Sequence, residues 1–94
     1  MTKHQEAAEK FDHANPEVWS LFRSYTIEAL RRGRRKIGSK MVWERIRWYT
    51  AVETNEESPK LNNNYTAYYA RKFQQQYPGW AHIFNTRESG QVEL

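Results

Sequence analysis

Apolar residues recur at the spacing of one helical face after Asn15 and Pro16, and they predict the most clearly marked helix of the chain. Asparagine can cap the free backbone donors at a helix start, and proline at the first helical position loses no hydrogen bond. Gly33, which follows Arg31 and Arg32, predicts the end of this helix. The predicted buried face consists of Val18, Leu21, Phe22, Tyr25 and Ala29.

A weaker pattern near the N-terminus predicts a short helix over residues 1–12. Its apolar stripe contains only Ala7, Ala8 and Phe11. Such a small apolar face contributes little to the stability of a helix. We therefore expect a loosely packed helix that is held to the domain mainly by Phe11.

Ser39 is placed to cap a further helix, which the pattern extends to about Val52. Its apolar stripe consists of Val42, Ile46 and Tyr49. The stretch 53–60 is polar and acidic and contains Pro59, so it predicts a loop.

Tryptophans occur at four positions, and three of them lie at helical spacings within the predicted helices. We expect Trp19, Trp43 and Trp48 to pack in the core, because large rings at such spacings are more often buried than exposed. Trp80 falls outside the regular helical patterns, where a ring can be half exposed and available to a partner.

Residues 62–77 carry the most informative pattern, because a cluster of asparagines can cap a helix that ends before a proline. One side of this helix is predicted to face the core and carries Thr66, Tyr69, Ala70, Phe73 and Tyr77. The opposite side carries Asn64, Tyr68, Arg71, Lys72 and Gln75. These side chains can donate to phosphate, stack on bases or contact base edges, as in a recognition helix. The alternative is that Tyr68 is a second core contact and the polar residues only face water.

Residues 81–94 contain a short mixed run and a turn-like Glu88, Ser89 and Gly90, which favour a C-terminal hairpin. We therefore predict a mainly α fold, or an α+β fold if the hairpin forms, in a single small domain over residues 1–94. Helices followed by a hairpin favour a winged helix-turn-helix, although the 53–60 loop is longer than that motif normally uses.

The composition favours a small basic protein that binds polyanions and has no disulfide bonds. The chain has 94 residues, of which 15% are aromatic, and 15 Lys and Arg oppose 11 Asp and Glu for a formal charge of +4. A positive net charge favours polyanionic partners. Cysteine is absent, which agrees with a reducing compartment, and no stretch resembles a signal peptide or a membrane span. We expect a cytoplasmic protein with no membrane partner.

The basic residues are concentrated in the segment 31–47, where only Glu44 opposes them. The cations of this segment are Arg31, Arg32, Arg34, Arg35, Lys36, Lys40, Arg45 and Arg47. Cations held near a phosphate backbone release counterions on binding, so this segment is predicted to supply affinity that does not depend on base sequence. The alternative is a solvated surface in which arginines also complement a helix C-terminus.

No residue pattern indicates catalysis. His4, His13 and His82 lie far apart in the sequence, and none stands in a motif with a nucleophile or a paired carboxylate. The acidic residues lack the spacing of a known metal motif, and the glycines form neither a P-loop nor a dinucleotide fingerprint. We therefore expect a protein that is not an enzyme and needs neither a cofactor nor a metal.

Three segments of the sequence, FDHANPEVWSLF, RWYTAVET and KLNNNYTAYYARKFQQQYP, resemble a group of small uncharacterised proteins of bacteriophages and prophages. The resemblance covers residues 11 to about 87, and no activity accompanies it. It implies a bacterial host cytoplasm, where small basic proteins commonly contact DNA or interfere with a host protein.

These observations favour a non-enzymatic nucleic-acid-binding module, with duplex DNA as the preferred partner. In this hypothesis helix 62–77 is the recognition helix and the basic segment contacts phosphates. The alternative is a protein-interaction module that binds a host or phage protein through exposed aromatic residues such as Tyr68 or Trp80.

Overall fold

The structure, a computed structural model, describes residues 3–55, 57–80 and 83–84. These residues form the α-helices Lys3–Ala14 (α1), Pro16–Arg31 (α2), Ser39–Trp48 (α3) and Thr66–Gln76 (α4). A π-helical turn, Tyr49–Glu53, extends α3, and short 3-10 turns lie at Asn63–Tyr65 and Pro78–Trp80. Across the described ranges no β-strand is present, so the prediction of a mainly α fold is confirmed.

α1 continues to Ala14, beyond the predicted limit at residue 12, and its packing face is larger than the apolar stripe suggested. Ala8 and Asp12 are buried. The ring of Phe11 lies 5.2 Å from that of Tyr65 and also contacts the core ring of Trp43. A carboxylate therefore occupies a position on this face that the apolar pattern could not identify.

Asn15 separates α1 from α2, but it does not act as the predicted cap of α2. Its side chain makes no capping hydrogen bond to that helix. Instead its Nδ2 donates to the carbonyl of Phe11 at 3.0 Å, and its backbone amide donates to the same carbonyl at 2.8 Å. Asn15 thus completes the C-terminus of α1, while Pro16 begins α2 as predicted.

The C-terminus of α2 closes through a Schellman motif. The amide of Arg34 donates to the carbonyl of Ala29, and the amide of Gly33 donates to that of Leu30, both at 3.0 Å. Gly33 has a φ of 92°, a conformation that residues with a Cβ rarely adopt. The predicted helix end is confirmed, and the motif fixes the direction in which the basic segment leaves α2.

The centre of the domain is aromatic. Trp43, Tyr69, Phe22 and Phe73 are the largest fully buried side chains. The ring of Trp43 lies 5.1 Å from Tyr69 and 6.4 Å from Phe22, so α2, α3 and α4 meet at one cluster. The predicted core face of α4 is confirmed at Tyr69, Ala70 and Phe73, which are fully buried.

The tryptophans do not all occupy the core. Trp43 is fully buried and Trp19 is partly buried, as predicted, but Trp48 is 56% exposed and that prediction was wrong. Trp48 lies two residues beyond the buried Ile46, about 200° further round the helix, so it faces solvent. Trp80 is 50% exposed, in agreement with its position outside regular helix.

The helix predicted over 62–77 begins differently from the prediction. Asn62 accepts a hydrogen bond from the amide of Asn64 at 2.8 Å and thereby caps the 3-10 turn rather than α4 itself. The α-helix starts only at Thr66, which is half-buried like Tyr77. Similarly, α3 stops at Trp48, and the helical path predicted to Val52 continues as the π-helical turn.

The connection between α2 and α3 pairs with a residue near the C-terminus. Ile37 and Phe84 form an isolated parallel bridge, and the amide of Ile37 donates to the carbonyl of Ile83 at 2.8 Å. Ile83 and Phe84 are buried. The other residues of the predicted hairpin, 81–82 and 85–94, lie outside the described ranges, and the winged helix-turn-helix is not confirmed.

Candidate nucleic-acid interface

The predicted phosphate-contact residues are exposed on and after the end of α2. We call this set the basic turn: Arg31, Arg32, Arg34, Arg35, Lys36 and Lys40. Arg32 forms a surface ion pair with Glu28 at 3.2 Å, with both side chains more than half exposed. Within the described ranges the other five cations contact no acidic group. Their charge is therefore available to an external anion.

A groove of about 850 Å³ lies beside the basic turn. Its apolar lining comes from α2, α3 and the connection between them, and consists of Tyr25, Ala29, Ile37, Met41 and Val42. Its charged lining consists of Arg32, Arg34, Lys36 and Arg45, with Glu28 as the acidic member. We call this feature the basic groove. It combines a hydrophobic surface with an excess of positive charge.

Arg45 and Tyr25 are joined within the basic groove. The Arg45 guanidinium lies 4.7 Å from the centre of the Tyr25 ring, and it also pairs with Glu53 at 3.3 Å. Burial raises the pKa of Tyr25, although the charge of Arg45 acts in the opposite direction. The Tyr25 hydroxyl is therefore neutral at physiological pH and can donate a hydrogen bond.

Arg47 belongs to the basic segment in sequence but has a different role in the fold. Its guanidinium pairs with Glu44, donates to the carbonyl of Leu61 at 3.2 Å and donates to Oδ1 of Asn63 at 2.7 Å. These bonds connect α3 to the chain that leads into α4. Arg47 is thus a structural contact, and the basic segment divides into a free part and a paired part.

The polar side of α4 is not the open surface that the sequence predicted. Asp12 of α1 lies against it, accepts a hydrogen bond from the Tyr68 hydroxyl at 2.8 Å and pairs with the Lys72 ammonium. Tyr68 and Lys72 are only partly exposed, and the ammonium also lies 4.6 Å from the centre of the Trp19 ring. For these two residues the prediction of a free, solvent-facing surface was wrong. We call this cluster the Asp12 contact.

The Asp12 contact changes the chemistry of Tyr68. Desolvation raises the pKa of its phenol, and the hydrogen bond to the nearby Asp12 carboxylate raises it further. The phenol is therefore held in its neutral, donating form. Asp12 lies one helical turn after Ala8 and shares its face, but this spacing does not reveal a contact with residues 56 and 60 positions away.

The remaining predicted residues of the recognition face, Asn64, Arg71 and Gln75, are exposed. Arg71 and Gln75 border a small cleft of about 280 Å³ between α1 and α4, which Glu9 also lines. No lining residue of this cleft belongs to the basic groove. The predicted site residues are therefore not brought together: Arg32, Arg34 and Lys36 line the basic groove, and Asn64 lies in neither lining. Tyr68, Arg71, Lys72 and Gln75 line the cleft.

No helix in the described part of the chain is both long and apolar enough to cross a membrane. Comparisons of the sequence and the structure with known protein families, curated proteins and solved structures gave no match.

Proposed function

We propose that this protein is a non-enzymatic nucleic-acid-binding module of the bacterial cytoplasm, with duplex DNA as its partner and the basic turn as its phosphate contact. The observation that supports this most directly is the group of five exposed cations without an acidic neighbour in the described structure. The Schellman motif holds the start of this group in one conformation. Less conformational entropy is then lost when phosphates bind.

The role proposed for α4 is smaller than the sequence suggested. Asn64, Arg71 and Gln75 are exposed and remain accessible to a nucleic acid. Tyr68 and Lys72 already bind the Asp12 carboxylate, so an external phosphate would compete with Asp12 for them. In this proposal α4 contributes a few additional contacts with the nucleic acid, and the basic turn supplies most of the affinity.

Fluorescence anisotropy across a salt series tests the proposal, because the salt slope of the affinity counts phosphate contacts. Each neutralised phosphate contributes about 0.9 to the slope for duplex DNA. The double variant Lys36→Ala/Lys40→Ala should therefore lower the slope by about 1.8 if both lysines contact phosphate. The matched control is Lys10→Ala/Lys60→Ala, which removes the same charge from exposed positions outside the basic turn.

Equal losses of affinity in the two double variants would show that only net charge matters and would contradict a binding site at the basic turn. Negligible binding of the unchanged protein at low salt would contradict nucleic-acid binding altogether.

A protein-interaction module is the second candidate, and one specific surface favours it. Met41, Trp48 and Val52 are 59%, 56% and 58% exposed, and their spacings of seven and four residues place them along one side of α3 and its π-helical extension. Exposed tryptophans often anchor protein interfaces. A partner captured by the unchanged protein and by the Lys36→Ala/Lys40→Ala variant, but lost with Trp48→Ser, would favour this function over DNA binding.

A further inference from the structure

Contact with phosphate accounts for the charged lining of the basic groove but leaves its apolar lining without a role. Ile37 and Val42 are almost fully buried and lie at the base of the groove, whereas Met41 is 59% exposed. Tyr25 adds an aromatic ring and a hydroxyl to this lining. A ligand with an apolar or aromatic part beside its negative charge therefore complements the groove better than a bare phosphate does.

The size of the groove agrees with such a ligand. Its volume of about 850 Å³ lies within the range of small-molecule sites, roughly 300–1,000 Å³. Four cations border the apolar lining. Arg32 and Arg45 are paired with Glu28 and Glu53, and Arg34 and Lys36 have no acidic partner in the described ranges. Nucleotides combine a flat aromatic base with an adjacent phosphate, which is the combination that this lining fits.

Base pairing decides whether a base can reach this lining. In a continuous duplex the bases are stacked inside and present the protein mainly with phosphates and groove edges. An unpaired base can leave the stack, lie on an aromatic side chain and donate or accept at its free edges. The neutral Tyr25 hydroxyl can bond to the edge of such a base, and the Tyr25 ring together with the Arg45 guanidinium, which lies 4.7 Å from the ring centre, offers a surface for stacking.

We propose that the basic groove holds one unpaired nucleotide of a nucleic-acid strand, with the base on Tyr25 and Met41 and its phosphate on the cationic lining. The inference rests on the proposed nucleic-acid function and changes its preferred partner from a continuous duplex to a nucleic acid with an unpaired nucleotide. Single-stranded DNA, or a duplex with a single-stranded overhang, should then bind more tightly than a continuous duplex with the same number of phosphates.

Methyl-labelled methionine provides a direct probe, since the chain contains two methionines, Met1 and Met41. Titration with a twelve-nucleotide oligothymidylate should shift the Met41 methyl resonance, whereas a duplex of twelve base pairs should bind with little shift. Binding of both nucleic acids without a Met41 shift would overturn the groove assignment and leave the proposed function intact. If neither the oligothymidylate nor the duplex binds, both the groove assignment and the proposed nucleic-acid function are contradicted.

A filling variant separates the base contact from the phosphate contact. Ala29→Leu adds three carbon atoms to the lining without changing charge, and Ala67→Leu adds the same atoms at an exposed position of α4 outside the groove. Loss of base stacking corresponds to at least about fivefold in affinity. Ala29→Leu should therefore weaken oligothymidylate binding at least about fivefold and leave duplex binding unchanged, while Ala67→Leu should change neither.

Tyr25→Leu gives a second test, in case the filled groove disturbs packing in Ala29→Leu. It keeps an apolar side chain but removes the ring and the hydroxyl, so oligothymidylate affinity should again fall relative to duplex affinity. Equal effects on both ligands in a variant whose circular dichroism matches the unchanged protein would overturn the proposal. So would a Met41 shift that saturates equally well with the mononucleotide dTMP, because a strand would then not be the ligand.

Discussion

The basic turn and the polar side of α4 both look like cationic binding surfaces in the sequence, yet the fold places different groups opposite them. At α4 a buried carboxylate, Asp12, already occupies the position that an external phosphate would take. At the basic turn five cations have no acidic neighbour in the described ranges. The comparison shows that a run of cations identifies an anion site only when the protein does not supply the anion itself.

The two regions should therefore respond in opposite ways to mutation. Changes at the Asp12 contact should alter the free energy of unfolding, because its groups are paired and partly desolvated. Changes at the basic turn should alter ligand affinity and leave stability nearly constant, because its groups are exposed.

The largest effect is expected for Asp12→Ala. It leaves the Lys72 ammonium and the Tyr68 hydroxyl partly buried without their shared partner, and breaking a buried pair costs about 3–5 kcal/mol. We expect a loss near 3 kcal/mol, since Lys72 is 25% exposed, measured by urea denaturation.

Glu6→Ala is the control for Asp12→Ala, because this exposed residue lies in the first turn of the same helix. Glu6→Ala should lower the free energy of unfolding by less than about 1 kcal/mol, which is the size of an exposed interaction with the helix dipole. A similar loss in both variants would contradict a special role for Asp12.

Alkaline pH should produce the next largest effect. Burial raises the pKa of Tyr68 and Tyr69 in the folded protein, so both stay neutral at a pH where the unfolded chain ionises. The stability that they contribute is complete below about pH 10 and is lost as the pH rises further, by about 1.4 kcal/mol per pH unit for each tyrosine. Urea denaturation between pH 9 and pH 11 measures this slope.

Tyr68→Phe should make the alkaline slope shallower by the contribution of one tyrosine. Identical slopes in the variant and the unchanged protein would mean that the Tyr68 phenol ionises equally readily in the folded and unfolded states.

A smaller effect is expected at the Schellman motif. Gly33→Ala forces a Cβ into a φ of 92°, although no atom lies within 4 Å of that Cβ, so only backbone strain opposes the substitution. We expect a loss of about 1 kcal/mol in thermal or urea unfolding.

Gly38→Ala is the matched control for Gly33→Ala. Gly38 has a φ of −87°, which any residue adopts, and its Cβ would meet its nearest neighbour at an ordinary 3.9 Å. Gly38 is also the N-cap of α3, where alanine is less favourable than glycine. This cost offsets the gain from a less flexible unfolded chain, so the variant should stay within about 0.5 kcal/mol of the unchanged protein. Equal losses at the two glycines would refute the assignment of strain to Gly33.

The smallest effect on stability is expected at the basic turn itself. Lys36→Ala/Lys40→Ala should change the free energy of unfolding by no more than about 0.5 kcal/mol, because both side chains are exposed and unpaired in the described structure. The same variant is expected to lose DNA affinity. A stability loss comparable to that of Asp12→Ala would remove the distinction between the two regions.

Local patterns predicted much of the fold. Pro16 and Gly33 mark the limits of α2, and the spacing of Tyr69, Ala70 and Phe73 identifies the core face of α4. These predictions succeeded because they depend on backbone conformation and on helical periodicity, which neighbouring residues determine. Trp48 was placed wrongly because helical spacing alone does not say which side of α3 the rest of the domain covers.

The sequence by itself determined the limits of α2, which apolar residues can share a face, and that the positive charge is concentrated after α2. Only the tertiary structure decided which cations remain free. Asp12 reaches Tyr68 and Lys72 across 56 and 60 residues of chain, and Tyr25 meets Arg45 only because α2 packs on α3. Pairing of charges depends on distances in space, and no local periodicity encodes those distances.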